Sequence, residues 1–151
     1  MIRQEIYIPR YDWRVRVWYA VTGYHTQTIM RALEEIGCDE ARLKDAYWQL
    51  RTGGINSGLT YSNYRNRESV VVTALTSSAM EFVDSFEHEK RHLVTHIAKA
   101  MRIRMRGEEI CYLDGWIAKK MFEKCHVLMC DGCRKGMDCH VHYRAGNKTK
   151  R

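Results

Sequence analysis

The order of hydrophobic and polar residues predicts a chain in which short strands alternate with amphipathic helices. β-Branched residues predict a first strand over residues 2–8, and apolar residues that alternate with polar ones predict a second over 14–19. Residues 59–64 and 69–74 are two extended stretches joined by a polar segment, which predicts a hairpin. The second of these strands is so rich in valine that we expect it to be buried.

Apolar residues at helical spacing predict four helices, over residues 26–36, 39–50, 79–101 and 108–124. Their predicted boundaries agree with capping preferences. Gly37 follows the first helix, where a left-handed residue is common, and Asp39 is a good N-cap for the second. Ser77 or Ser78 begins the third helix, and Glu81 completes a capping box with Ser78. The predicted fold class is therefore α+β, with a small antiparallel or mixed sheet of about four strands packed on helices.

The length and composition fit one folded domain. The chain has 151 residues, of which 45% are hydrophobic, and a single proline. It contains no apolar run of about 18 residues, so we expect no membrane span. Residues 1–10 are charged throughout, so we also expect no signal peptide and a cytoplasmic location. The six cysteines are then expected to be thiols or metal ligands rather than disulfides.

The net charge of +7 is unevenly distributed along the sequence. Residues 134–151 contain six basic residues and one acidic residue, whereas the preceding residues are close to neutral. We therefore predict three segments: an α+β domain over 1–124, a Cys/His-rich tail over 125–143, and a basic disordered end over 144–151. The basic end predicts at most a weak contact with nucleic acid.

The third helix contains the pattern His-Glu-x-x-His, formed by His88, Glu89 and His92. Residues four apart lie on one face of a helix, about 5–6 Å from each other, so both imidazoles can reach one zinc ion. The glutamate after the first histidine would lie beside the open coordination position. There it can take a proton from a water molecule that zinc has acidified.

A third zinc ligand is expected at the start of the next helix, at Glu108 or Glu109. A second helix that crosses the first can bring a carboxylate to a site of two histidines and one glutamate. Glu108 shares a helix face with small residues that allow close approach, so we favour it and keep Glu109 as the alternative. Both could instead be first-turn acids that are favoured by the helix dipole.

Three further polar residues are candidates for contacts around the zinc ion or with substrate. His96 continues the row of His88 and His92, but two helical turns span about 12 Å, which is too far for one ion to bind all three. His96 is therefore expected to contact a zinc ligand without binding the ion, to face substrate, or to be a surface histidine. Tyr112 and Asp114 could orient a ligand or stabilise an oxyanion, or have purely structural roles.

The second cluster of metal-binding residue types lies near the C-terminus. Cys130 and Cys133 have the spacing of a zinc knuckle, in which a tight turn directs two thiolates at one ion. Further ligands of this predicted structural zinc would come from Cys139 together with Cys125, His140 or His142. Free thiols and a redox pair are the alternatives. A zinc ion here would hold a tail that has few apolar residues to pack.

The two-helix pattern, with Glu108-Glu109-x-x-Tyr112-Leu113 following the first motif, resembles the core of the gluzincin-type zinc metallopeptidases. The resemblance covers about residues 58–124. The sequence of this stretch is also similar to that of small proteins encoded by phages and prophages of gut bacteria. The resemblance to the peptidases implies a substrate-binding edge strand before the first helix, a place that residues 69–74 would take. Tyr112 stands where related families often have Asp or Asn.

The leading hypothesis is a zinc metallopeptidase of bacterial or phage origin. Zinc would be held by His88, His92 and Glu108, Glu89 would activate water, and a peptide or protein substrate would pair with the strand Ser69–Ala74. One alternative is a zinc-stabilised structural or adaptor protein without turnover, for example a component of a phage particle or another large complex. The other is a nucleic-acid-binding protein that uses its Cys/His-rich basic tail.

Overall fold

The structure is a computed structural model and describes residues 1–54 and 58–136. Four strands form one mixed sheet: β1 (Ile2–Ile8), β2 (Trp13–Val21), β3 (Gly58–Asn63) and β4 (Glu68–Ala74). Their order across the sheet is β1-β2-β4-β3. The β1–β2 and β3–β4 pairs are antiparallel, whereas β2 and β4 run parallel. The predicted α+β class with a small mixed sheet is confirmed.

The helices cover both faces of this sheet. They are α1 (Thr26–Glu35), α2 (Glu40–Thr52), α3 (Ala79–Ala100), α4 (Glu108–Cys125) and the short α5 (Asp131–Arg134). One face packs against α1 and α2, and the other packs against α3 and α4. Within the second layer, α3 lies over β3 and β4, and α4 lies next to β1. A bulge after Trp18 includes Ala20, whose φ of 56° is left-handed, and it moves Val21 to the α1–α2 face.

The helices begin and end close to the residues that capping preferences predicted. Gly37 is left-handed with φ 79°, and the Asp39 side chain accepts a hydrogen bond from the Arg42 amide. Ser78 caps α3 by accepting from the Glu81 amide, 3.2 Å away. The Glu81 carboxylate bonds to Ser77 rather than to the Ser78 amide, so the capping box is shifted by one residue.

The position of β4 in the sheet corrects one expectation. The strand Ser69–Ala74 was expected to offer a free edge to a peptide, but β4 lies between β2 and β3 and pairs with both. Both of its hydrogen-bonding edges are therefore used within the sheet, and no further strand can join it. The free edge on this side of the sheet belongs to β3 (Gly58–Asn63).

A buried lysine joins α3 to α4. The Lys90 side chain is 6% exposed, and its Nζ lies 3.0 Å from the Glu87 carboxylate and 3.3 Å from Asp114 on α4. Burying an ammonium group is costly unless acids compensate its charge, so this group resists separation of the two helices. The pairing sets how α4 lies along α3.

The start of α3 is also held by the segment that follows α4. The Asp131 carboxylate accepts a hydrogen bond of 2.9 Å from the Ala79 amide, which is one of the unpaired donors of the first helical turn. Arg134 donates to the hydroxyl and the carbonyl oxygen of Thr76. The chain after Cys125 therefore docks on the domain as far as it is described. No helix in residues 1–54 and 58–136 has the length and apolar character needed to cross a bilayer.

Replacing Lys90 by alanine is expected to destabilise the protein more than removal of an exposed lysine. The change leaves Asp114, which is 31% exposed, without its partner and empties a buried site. We expect a loss of about 2 kcal/mol in the free energy of unfolding, measured by urea denaturation. Lys120→Ala is the matched control, because its exposed pair with Glu123 should contribute less than about 0.5 kcal/mol. Equal losses in the two variants would contradict a structural role for Lys90.

Candidate metal centre

His88 and His92 lie side by side on the exposed surface of α3. Their Nε2 atoms are 3.1 Å apart and their ring centroids are 4.8 Å apart. In a tetrahedral zinc site with bonds of 2.0–2.1 Å, two nitrogen ligands lie about 3.3 Å from each other. The two nitrogens lie at hydrogen-bond distance from each other, and their separation is also close to the one that a shared zinc ion requires.

Glu89 lies against the sheet beside this pair. Its side chain is 2% exposed, and its Oε2 accepts a hydrogen bond of 2.7 Å from the Thr60 hydroxyl on β3. The same hydroxyl lies 3.3 Å from the Glu89 backbone carbonyl oxygen. The carboxylate is thus held at the edge strand. Glu89 directly follows His88 in the helix.

Gly58 makes the close approach of Glu89 to β3 possible. A Cβ atom at this position would lie 2.0 Å from the carbonyl oxygen of Val72 and 2.7 Å from Cγ of Glu89. No side chain fits there without movement of the strand or of the glutamate. Gly58 and Thr60 belong to the site, although we did not select either from the sequence. The signal was available: Gly58, Thr60 and Ser62 alternate along β3 as small or hydroxyl residues on the face that packs on α3.

A groove of about 340 Å³ runs along β3 between α2 and α3. Arg42, Asp45 and Gln49 line it from α2, and His92 and His96 line it from α3. Its floor includes Leu59, Thr60 and Tyr61 of the edge strand. The guanidinium of Arg42 lies 5.5 Å from the centre of the Tyr61 ring. The groove therefore combines the free edge of the sheet with the histidine row and with charged groups of both signs.

His96 ends a chain of hydrogen bonds that crosses the sheet. The Trp13 indole Nε1 donates to the Ser69 hydroxyl at 2.9 Å, and the Ser69 and Ser62 oxygens are 2.7 Å apart. The Ser62 oxygen is 2.9 Å from Nδ1 of His96. Trp13, Ser62 and Ser69 are buried, so this chain is shielded from water.

The direction of this chain determines the expected tautomer of His96. The indole N–H can only donate, so Ser69 accepts from it; we expect the Ser69 hydroxyl to donate in turn to Ser62, and the Ser62 hydroxyl to donate to Nδ1. In that arrangement the proton of neutral His96 is on Nε2. Burial, followed by the electrostatic effects of His92, Lys99 and Arg42, lowers the pKa of His96 and favours the neutral form. In this tautomer His96 would offer an N–H donor at the groove.

The acidic residues predicted on α4 have separate positions. Oε1 of Glu109 accepts from the Arg10 guanidinium at 3.1 Å and from the Tyr11 hydroxyl at 3.2 Å. Asp114 pairs with Lys90, as described above. Glu108 is exposed and makes no hydrogen bond or ion pair with any residue that the structure describes. Tyr112 is exposed and lines a small apolar pocket with residues of the β1–β2 turn rather than the groove.

No third metal-binding side chain joins the histidine pair in the described part of the chain, where no three His, Cys, Asp or Glu residues lie close enough to hold one ion. Lys90, which faces α4, is roughly opposite His88 and His92 around α3. The histidine pair consequently does not face α4, and His92 of the pair lines the groove beside α2. The third ligand at Glu108, or alternatively Glu109, stays a prediction.

The residues of the second predicted zinc site are only partly described. Cys125 is fully buried in the core at the end of α4, and burial raises the pKa of its thiol to about 12. Cys130 and Cys133 are half-buried; Cys130 directly precedes α5 and Cys133 lies within it. Cys139, His140 and His142 lie outside the described residues, so a structural zinc in the tail stays a prediction.

Loss of either serine hydroxyl is expected to disturb the tautomer of His96. In Ser62→Ala the Nδ1 atom loses its donor, and in Ser69→Ala the chain is interrupted one step earlier. Long-range ¹H–¹⁵N correlation spectra of the metal-free protein should show a single Nε2–H tautomer in the wild type and a mixture in Ser62→Ala. Thr95→Ala, on the same helix as His96, is the control and should leave the tautomer unchanged. A wild-type spectrum with the proton on Nδ1 would contradict the assigned direction.

The native protein should show a strong difference in cysteine reactivity. With a pKa of about 12, Cys125 is about 10⁻⁴ thiolate at pH 8 and is also shielded from reagent. Cys111 is exposed. Mass spectrometry after brief treatment with iodoacetamide should find Cys111 modified at least ~100-fold faster than Cys125. Denatured protein should lose this difference, and equal native rates would mean that Cys125 is not a core residue.

Comparison with known proteins found no family model, no curated protein and no solved structure that matches the chain. The resemblance to gluzincin-type peptidases therefore depends on the residues of the two-helix pattern alone.

Proposed function

We propose that the protein is a zinc-dependent hydrolase that cleaves peptide bonds in an extended substrate. The observation that carries the proposal is the arrangement around β3. Two imidazole nitrogens lie 3.1 Å apart, and the carboxylate that follows the first histidine is held at the free edge of the sheet. A metal pair, a proton acceptor and a strand that can bind a peptide backbone thus meet in one place.

Two imidazoles are a common part of a zinc site. His88 and His92 would hold the ion, and the predicted third ligand, Glu108 with Glu109 as its alternative, would have to be brought to it from α4, which the pair does not face in this structure. When bound, zinc would polarise the substrate carbonyl and lower the pKa of a water molecule. Glu89 would accept the proton of the attacking water and then deliver it to the leaving amine. The Thr60 hydroxyl, 2.7 Å from Oε2, fixes the carboxylate for this task.

The groove supports an extended substrate. Among the strands that the structure describes, β3 pairs only with β4, so its other edge would present backbone N–H and C=O groups that a peptide can pair with. A strand of 6 residues spans about 20 Å, which is long enough for several residues of substrate. Arg42 and Asp45 on α2 would contact the substrate side chains on one side. His96 would donate from Nε2 to a substrate carbonyl oxygen on the other.

A zinc-stabilised structural or adaptor protein is the second candidate. The favouring observation is that Glu89 is as well buried as a core residue and is hydrogen-bonded within the domain. In such a protein Glu89 would tie α3 to β3, and zinc would bind without turnover. Metal content together with peptidase assays separates the two candidates. Binding of nucleic acid by the tail concerns residues 137–151, which lie outside the described part of the chain.

Glu89→Gln is expected to retain zinc and to lose hydrolysis. The amide keeps the size of the side chain and can accept from Thr60, but it cannot take a proton from water. We expect kcat/KM on a library of unstructured peptides, followed by mass spectrometry, to fall by about 10²–10⁴-fold. Asp84→Asn, an exposed change of equal charge on α3, is the control and should leave the rate unchanged. Hydrolysis by Glu89→Gln at the wild-type rate would refute the assigned role.

Removing both imidazoles is expected to remove the metal at this site. His88→Ala combined with His92→Ala should reduce the zinc content by one ion per chain in elemental analysis, because two ligands are lost together. Cys130→Ser combined with Cys133→Ser reports separately on the predicted tail site. Full retention of zinc by the double histidine variant, with loss in the cysteine variant, would place all bound metal in the tail.

A further inference from the structure

Three loops gather arginines at one end of the molecule. This arginine end is formed by the β1–β2 turn with the start of β2, by the β3–β4 turn, and by the loop between α3 and α4. It contains seven arginines: Arg10, Arg14, Arg65, Arg67, Arg102, Arg104 and Arg106. They are dispersed in the sequence, and only the fold brings their loops to the same end.

Hydrogen bonds hold the three loops together. The Arg14 amide donates to the Arg67 carbonyl oxygen at 2.9 Å, which joins the β1–β2 and β3–β4 segments. The Arg67 guanidinium donates to the Tyr11 carbonyl oxygen at 3.4 Å. Arg10 pairs with Glu109 at 3.1 Å, which joins the first segment to the start of α4. The arginine end is therefore one continuous surface.

Most of the net charge of the described chain lies on this surface. The acidic residues in or directly after these loops are Asp12, Glu68, Glu108 and Glu109, and together with the seven arginines they give a net charge of +3. The described residues contain 21 basic and 17 acidic residues in all, which is a net charge of +4. The rest of the domain is almost neutral, and the positive potential is concentrated at one end.

The arginines of this end are available to a ligand. All seven are exposed. Among these seven, only Arg10 forms an ion pair with a described residue, and the other six have no carboxylate partner within residues 1–54 and 58–136. Like charges gathered at one end of a molecule repel, so an anion that binds among them is stabilised.

We propose that the arginine end binds the phosphate backbone of single-stranded nucleic acid. All seven basic residues of these loops are arginines, whose planar fork binds phosphate in a bidentate manner, and the nearest lysine along the chain is Lys99 in the last turn of α3. The loops cap a sheet of four strands, which is about 15 Å wide and can be crossed by a few nucleotides of an extended strand. This surface is distinct from the basic end of the chain and does not depend on the zinc site.

An aromatic ring favours a single strand over a duplex. Tyr64 lies in the β3–β4 turn among these arginines and is 44% exposed. Its ring also contacts Trp13 and His96, at centroid distances of 6.4 and 5.8 Å, which hold it in place. An unpaired base can stack on the open part of such a ring, whereas bases inside a duplex cannot. An acidic peptide would gain nothing from stacking.

Fluorescence anisotropy with a labelled oligothymidylate of about 15 nucleotides tests the proposal on the full chain. Arg65→Gln, Arg104→Gln and Arg106→Gln together should weaken binding at least tenfold at low salt. They should also reduce the slope of log K against log salt by about 2, since each lost phosphate contact contributes about 0.7. Tyr64→Ala should weaken binding while leaving this slope unchanged. Circular dichroism checks that the variants remain folded.

A matched triple variant with the same loss of charge provides the control. Arg31→Gln, Lys44→Gln and Lys119→Gln are exposed changes outside the arginine end and should bind as the wild type does. Equal weakening in both triple variants would overturn the proposal in favour of a general charge effect. Binding that disappears only when Arg144, Lys148, Lys150 and Arg151 are replaced by Gln would assign it to the chain end. Tighter binding of a duplex or of polyglutamate would overturn the choice of partner.

Discussion

The carboxylate of Glu89 lies between α3 and the edge strand β3, where almost no solvent reaches it, and much of the domain is arranged around this contact. Burial of a carboxylate is costly unless hydrogen bonds compensate it. The Thr60 hydroxyl supplies one, and the missing side chain of Gly58 supplies the space. Because Glu89 must face the strand, the rotation of α3 about its axis is determined. That rotation places His88 and His92 on the surface and His96 above Ser62.

The side of α3 that faces α4 carries a second buried charge. Lys90 points towards α4 and pairs with Asp114, so the helix is held by polar contacts on two sides as well as by its apolar residues. Asp131 binds the amide of Ala79 at its first turn. A helix constrained in this way keeps the two imidazoles in a fixed relation to the groove, which is the condition for a preorganised metal site.

The groove and the arginine end are neighbours. Tyr64 contacts His96 with one part of its ring and is exposed among the arginines with another. The residues behind His96 belong to three strands, since Trp13 lies on β2, Ser69 on β4 and Ser62 on β3. The end of the sheet thus connects two surfaces of different chemistry. The two proposals remain independent, because one depends on imidazoles and a carboxylate and the other on guanidinium groups.

Local features of the sequence were sufficient to predict the strands, the helices and most of their ends, because capping, turn formation and apolar periodicity act over a few residues. The pairing of His88 with His92 follows equally from helix geometry. The order of the strands did not follow, so the free edge was assigned to β4 and is in fact that of β3. Parallel pairing of β2 with β4 joins residues about fifty positions apart, and no local preference specifies it. For the same reason only the tertiary structure brought Thr60 to Glu89, linked Trp13 to His96, and collected seven dispersed arginines at one end of the sheet.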